Sequence, residues 1–146
     1  MDLRSISRDP HAFQQPVTVQ DIQVIGRRAF GDAARVASAV ELGGGMYNTT
    51  YRITVDHLET PAILRIAPAP GQQFSSEREL RRNEYVAVPY LSPIAGLVPR
   101  VLFADWSQEI TDLDWIVQSH LTGVAAPERR GRCLTGCASS RCRARA

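Results

Sequence analysis

Four short stretches of this sequence hold residue types whose spacing could serve chemistry. The run Gly43-Gly44-Gly45-Met46-Tyr47-Asn48 joins two strand-like segments, and glycine there lets backbone N–H groups approach a ligand with no Cβ in the way. It does not match G-x-x-x-x-G-K-[ST], and it opens a strand where a dinucleotide fingerprint would open a helix. A flexible hairpin turn is the alternative. Arg65 lies inside the apolar run Ala62-Ile63-Leu64-Arg65-Ile66-Ala67, where a charge must be paired or face a solvent cleft because unpaired burial is costly. Strand alternation sets it on one face with Ile63, opposite Leu64 and Ile66. Glu84 lies four residues from both Leu80 and Val88 on a helical stripe that reads as core-facing, so it too calls for a cation. Arg65 and, three residues back along the same helix, Arg81 are the candidates. Finally, Trp115-Ile116-Val117-Gln118-Ser119-His120-Leu121-Thr122-Gly123 reads as a strand running into a glycine turn. Its exposed backbone end could hydrogen-bond a flat heterocycle, or it could be an ordinary edge strand.

The remaining reactive residue types show no such arrangement. His11, His57 and His120 have no acid or nucleophile partner in sequence, and Cys133, Cys137 and Cys142 follow a C-x3-C-x4-C spacing with no histidine after it, which fails the usual zinc patterns. No catalytic or metal-ligating residue is therefore assigned.

The elements that must position these residues follow from periodicity. Thr18 can cap a helix with Asp21 three positions on, Ile22, Ile25 and Ala29 recur at helical spacing, and Gly31 suits a C-terminal cap, which predicts a helix over 19–30. Residues 1–17 are polar and predicted without regular structure. From Val36 the pattern becomes strand-like up to Leu42, and it resumes in Tyr51, Ile53 and Val55. A third strand covers Ala62 to Ala67, giving a three-stranded antiparallel meander. Residues 75–88 hold no glycine and an acidic start, which predicts a second helix; Pro93, Gly96 and Pro99 then mark a loop. Strands at Val101 to Ala104 and Trp115 to Leu121, separated by a polar turn with Asp105, Gln108 and Asp112, complete an α+β domain built on a five-stranded antiparallel sheet.

Composition bounds the rest. A chain of 146 residues, 44% hydrophobic and 22% charged, fits one globular domain and excludes a collagen-like or wholly disordered protein. No apolar run approaches the roughly 18 residues of a membrane span, and no secretory signal opens the chain, so a cytoplasmic protein with no membrane partner is expected. All 17 basic residues are arginine. Residues 1–126 carry 11 Arg against 14 acids, a net of −3, whereas residues 127–146 carry 6 Arg against Glu128, a net of +5. That tail, with all three cysteines and only Leu134 to pack, is expected to be disordered; with no aromatic to stack on bases, a nucleic-acid partner is not expected.

The order of elements and four local patterns resemble the N-terminal lobe of the aminoglycoside phosphotransferase family, kinase-like enzymes related to choline and homoserine kinases. Gly44-Gly45-Met46-Tyr47-Asn48-Thr49-Thr50-Tyr51 is similar to the family's G-G-x-x-N-x-x-Y nucleotide loop, and Ile63-Leu64-Arg65-Ile66 to the strand carrying its phosphate-contacting base. Arg81-Arg82-Asn83-Glu84 resembles the helix whose glutamate pairs with that base. Leu97-Val98-Pro99-Arg100-Val101-Leu102 and Ile116 to Gly123 resemble its V-P-x-V-L strand and its hinge. The resemblance covers residues 18–126 and implies a nucleotide partner, ATP. Gly44, Gly45 and Asn48 would cover the phosphates, Arg65 would contact the α- and β-phosphates while held by Glu84, and backbone groups at Ser119 and Leu121 would meet the adenine. Gln118 stands where relatives commonly have an apolar residue.

One departure is large. The family's H-G-D-x-x-x-x-N loop and D-x-D metal segment do not occur, no aspartate follows Asp114, and the lobe that binds the hydroxyl acceptor has no counterpart. The composition shift after Ala126 coincides with the break, and an Arg/Cys/Ser/Ala-rich end fits out-of-frame reading of GC-rich DNA. The expectation is a truncated or frameshifted phosphotransferase, inactive alone, whose full-length form would use ATP and Mg²⁺ on a small-molecule hydroxyl. A single-lobe module binding a nucleotide or a partner chain is the alternative.

Overall fold

The computed structural model describes residues 1–8, 12, 14, 16–43, 47–69, 71 and 79–123. Its first helix, α1 (Val19–Phe30), has the predicted bounds. The Thr18 hydroxyl accepts the Asp21 N–H at 3.1 Å, the Asp21 carboxylate accepts the Thr18 N–H at 3.2 Å, and Gly31 closes the helix at a φ of 97°. These contacts satisfy backbone groups that the helix ends would otherwise leave open.

The strands are β1 (Asp2–Arg4), β2 (Val36–Glu41), β3 (Thr49–Val55), β4 (Ala62–Ile66), β5 (Val101–Asp105) and β6 (Trp115–Ser119). They form one mixed sheet in the order β1-β2-β3-β4-β6-β5. The β2-β3-β4 meander is antiparallel, as the alternation predicts. The sheet nevertheless has six strands where the sequence suggests five. The additional strand, β1, lies in the stretch expected to lack regular structure and pairs parallel to β2. What holds it is side-chain chemistry: the buried Glu41 carboxylate accepts the Ile6 N–H at 2.8 Å and is paired with the Arg8 guanidinium.

One face of the sheet carries the core. Tyr51, Ile53 and Val55 of β3, Ala62, Leu64 and Ile66 of β4 and Trp115 and Val117 of β6 are buried there with Ile22 and Ile25 of α1. Phe103 stacks on Trp115 with ring centroids 5.6 Å apart. Helix α1 is locked to the start of β2 by Gln23, whose Nε2 donates to the Val36 carbonyl at 2.6 Å while its Oε1 accepts the Val36 N–H at 3.2 Å. The side-chain amide thus stands in for a neighbouring strand.

Beyond β4, the second helix, α2, covers Leu80–Ala87 rather than 75–88. Glu79 has a φ of 59°, a left-handed conformation that no helix continues through, and residues 72–78 lie outside the described residues. Leu80 is exposed, so the stripe through Leu80, Glu84 and Val88 does not face the core. The predicted loop after it is instead a kinked 3-10 segment, Val88–Leu97. Asp105, expected in a turn, ends β5 as a buried side chain. The tail and its cysteines lie outside the described residues, as does His11.

Candidate functional site

The face of the sheet opposite the core is set by the same alternation. Thr50, Arg65 and Ile116 stand side by side across β3, β4 and β6, and Arg52, Ile63 and Gln118 form the next row. Arg65 therefore shares its face with Ile63, away from Leu64 and Ile66, as the sequence requires.

Glu84 comes to this face from α2. Arg65 Nη1 donates to Glu84 Oε1 at 2.6 Å and to Gln118 Oε1 at 3.3 Å. Arg65, one of the two partners that the sequence offered Glu84, meets it here, and the Arg81 side chain lies outside the described residues. The Arg65 side chain keeps 27% of its exposure and that of Glu84 36%, so the pair sits at the rim of the face. With both Nη1 hydrogens turned to these acceptors, Nε and Nη2 are left. They donate to no acceptor among the described residues, and together they form the edge of the guanidinium that grips a phosphate through two parallel hydrogen bonds.

An eight-residue helix is marginal by itself, and α2 has no side-chain cap. The turn between β5 and β6 anchors it. Arg82 donates to both oxygens of Asp114, at 3.0 Å through Nε and 3.3 Å through Nη2, and its guanidinium lies 5.7 Å from the centroid of Trp106. Tyr85 meets the same indole edge-to-face at 5.9 Å, and Gln108 Nε2 adds a bond to Asp114 at 3.0 Å. These residues went unassigned in the sequence because Arg82 and Asp114 are 32 positions apart. Their side chains fix the height and rotation at which Glu84 reaches Arg65.

The other expected site residues fall as follows. Gly44 and Gly45 lie outside the described residues, so the loop's phosphate contact is not placed. Asn48 precedes β3, its carbonyl accepts from Gln14 Nε2 at 3.1 Å, and its Oδ1 is buried with no donor among the described residues. A phosphate offers only acceptors, so any contact from Asn48 has to run through a nitrogen. Ser119 ends β6, two residues short of the strand end expected from sequence. Its N–H donates to the Arg100 carbonyl at 2.8 Å and its hydroxyl accepts the Arg100 N–H at 2.9 Å, so the backbone N–H is spent and the carbonyl and the hydroxyl hydrogen are left for a ligand. Leu121 is exposed beyond the strand.

Two further features bear on chemistry. Among the described residues no group of three or more His, Cys, Asp or Glu side chains could hold a metal, and no helix is long and apolar enough to cross a membrane. On the core face of the sheet, in register with Trp115, burial pushes the Asp105 carboxyl up. The Ser107 hydroxyl, the Ser107 N–H at 2.7 Å and the Arg28 charge outweigh it, leaving the group below its ordinary value of 3.8. That cluster braces α1 against β5 and stands apart from Arg65. No protein-family model, curated protein or solved structure matches the chain.

Proposed function

We propose that the open face of the sheet binds the phosphates of a nucleoside triphosphate, ATP by the resemblance to aminoglycoside phosphotransferases, with Arg65 as the contacting base. The observation that carries this reading is the arginine held by Glu84 with its Nε–Nη2 edge unspent. A strand cation fixed by a helix glutamate is the device by which kinases present positive charge to the α- and β-phosphates. The chain order of three strands, a helix and two strands across β2 to β6 supports the same reading, since it is the order the resemblance implies.

Glu84 contributes orientation. Without it the guanidinium could rotate over the face, and binding would have to order it. The residues present fit a triphosphate through Arg65. They do not supply the rest of phosphoryl transfer, because the sequence has no H-G-D-x-x-x-x-N loop to orient a hydroxyl and no D-x-D pair for Mg²⁺. Exposed Val86, Tyr90 and Leu97 on α2 and the 3-10 segment support a further unit that supplies those groups and the hydroxyl acceptor.

Isothermal titration of the chain with ATP and with tripolyphosphate tests the phosphate reading. Both should bind, competing with each other, and Arg65→Met should weaken both by at least tenfold with its circular dichroism unchanged. No binding at millimolar ligand, or binding indifferent to Arg65→Met, would refute it.

A further inference from the structure

The segment between β1 and α1 meets the sheet at the two strand ends that carry the glycine run. At the outgoing end, the Glu41 carboxylate accepts the Ile6 N–H at 2.8 Å and is paired with Arg8, and the Ile6 side chain lies against Gly43, where an added Cβ would stand 3.5 Å from Ile6 Cδ1. At the returning end, Gln14 Nε2 donates to the Asn48 carbonyl at 3.1 Å, and the Tyr51 hydroxyl bonds the Ser5 side chain and accepts the Val17 N–H at 3.5 Å. The two ends are themselves joined, because Glu41 is in register with Tyr51 and the Leu42 N–H donates to the Thr50 carbonyl at 2.8 Å.

Arg65 lies one strand away on the other face. Its cross-strand neighbour Thr50 stands between Asn48 and Tyr51, the two residues that the segment holds. Alternation puts Glu41 and Tyr51, both buried, on the core face and Arg65 on the open face, so the segment grips the roots of the loop from behind and leaves the ligand's side clear. Glycine loses more backbone freedom on ordering than any other residue, and three occur in succession here. Roots that are fixed beforehand leave less to be ordered when a ligand binds.

We propose that residues 5–17 form a positioning strap, latched at Glu41, that pins both roots of the glycine run and thereby raises the affinity of the open face for a polyphosphate. The proposal rests on the phosphate reading of Arg65 and deepens it by assigning a role to a segment that touches neither Arg65 nor Glu84 in any contact above. Coupling of this kind is reciprocal. Whatever factor the closed strap adds to polyphosphate affinity, bound polyphosphate adds to the closure of the strap.

Hydrogen exchange of the full chain with and without saturating tripolyphosphate tests it. The Ile6 N–H should exchange at least about fivefold more slowly with tripolyphosphate bound, the lower end of coupling between distinct sites. The Leu58 N–H, which donates to the Val55 carbonyl at 3.1 Å in the turn at the far end of β3, should be unaffected, and Arg65→Met should abolish the slowing at Ile6. Gln14→Leu releases the Asn48 root and leaves the Glu41 latch in place; it should weaken tripolyphosphate binding about fivefold, the worth of one net hydrogen bond, with its circular dichroism unchanged. Ile6→Pro removes the N–H that Glu41 accepts while Arg8 still neutralises the carboxylate, so it should weaken binding too and guards against a misfolded leucine variant. Bound tripolyphosphate that leaves Ile6 exchange unaltered or slows Leu58 equally, or an affinity unchanged in both variants, overturns the strap alone. Failure of tripolyphosphate to bind the parent chain overturns the phosphate reading, and this inference with it.

Discussion

Replacing Arg8 by methionine tests what fixes the N-terminal edge of the sheet. The Glu41 side chain is 1% exposed, and its carboxylate has the Ile6 N–H at 2.8 Å and the Arg8 guanidinium as partners. Arg8 itself keeps 19% of its exposure, so its own hydration is only partly lost on pairing. The two ions are thus unequal. Removing Arg8 leaves a fully desolvated carboxylate with one backbone donor, and breaking a buried pair in this way costs about 3–5 kcal/mol. With a urea dependence of about 2 kcal/mol per molar, that loss lowers the unfolding midpoint by roughly 1.5–2.5 M. Urea titration followed by the fluorescence of Trp115, which lies in the core, reads it directly. The companion change Glu41→Gln keeps an acceptor for the Ile6 N–H and frees an arginine that water can reach, so it should cost less than Arg8→Met. Adding Glu41→Gln to Arg8→Met should recover part of the loss, because the stranded charge is gone. A cost for Arg8→Met below about 1 kcal/mol, in the range of surface ion pairs, would refute the argument that Glu41 needs this partner.

Three other outcomes follow from single contacts. A Cβ built on Gly26 of α1 comes 2.6 Å from Val36 Cγ2, so Gly26→Ala should destabilise by about 1–3 kcal/mol despite its gain of up to 1 kcal/mol in helix propensity, and adding Val36→Ala should reverse most of the loss in thermal melts. Because the Asp105 carboxyl lies below its ordinary value of 3.8 in the folded chain, the native state binds fewer protons than the unfolded one there; its stabilisation is complete above pH 4 and is lost as pH falls through the folded value. Asp105→Asn should therefore lose most stability near neutrality and converge on the parent in acid, and a gap that stays constant with pH would sink the assignment. Arg82→Ala, by removing the Asp114 anchor of α2, should speed hydrogen exchange at Asn83 to Ala87 about fivefold, the equivalent of about 1 kcal/mol, and weaken tripolyphosphate binding without unfolding the sheet.

The sequence exposes those parts of the molecule that are decided within a few residues. Helix α1 carries its start signal in Thr18 and Asp21 and its stop signal in Gly31, and the alternation around Leu64, Arg65 and Ile66 fixes which side chains share a face. Strand β1 escapes such reading because three polar or isolated residues, Asp2, Leu3 and Arg4, have no period to detect. The Glu41–Arg8 pair that holds them spans 33 positions. The break at Glu79 escapes for the opposite reason: good helix formers run through it, and the chain turns there against local preference. At the site, Arg65 and Glu84 are legible as two charges in apolar surroundings, whereas the props of α2, Trp106 and Asp114, look like ordinary turn residues until the β5–β6 connection folds beneath the helix.

The ion pairs of this protein divide by how deeply they are buried, and the division bears on what Arg65 is for. Glu41 and Asp105 are almost entirely inside, and each ties distant chain segments together, β2 to the N-terminal edge and α1 to β5. Arg65 and Glu84 keep 27% and 36% of their exposure, and a pair so placed contributes little to stability because water screens it. A central strand flanked on both sides would be better served at that position by valine or isoleucine, whose branched side chains pack on a pleated surface. A charge retained in the middle of β4, aimed at a solvent-facing surface and braced by a helix that is itself anchored by four side chains, is expensive as structure and economical as a binding group. Arg65→Met should therefore leave the unliganded chain as stable as before or slightly more so, and the same substitution should remove the phosphate contact proposed above. That pairing of gains and losses separates a binding residue from a structural one.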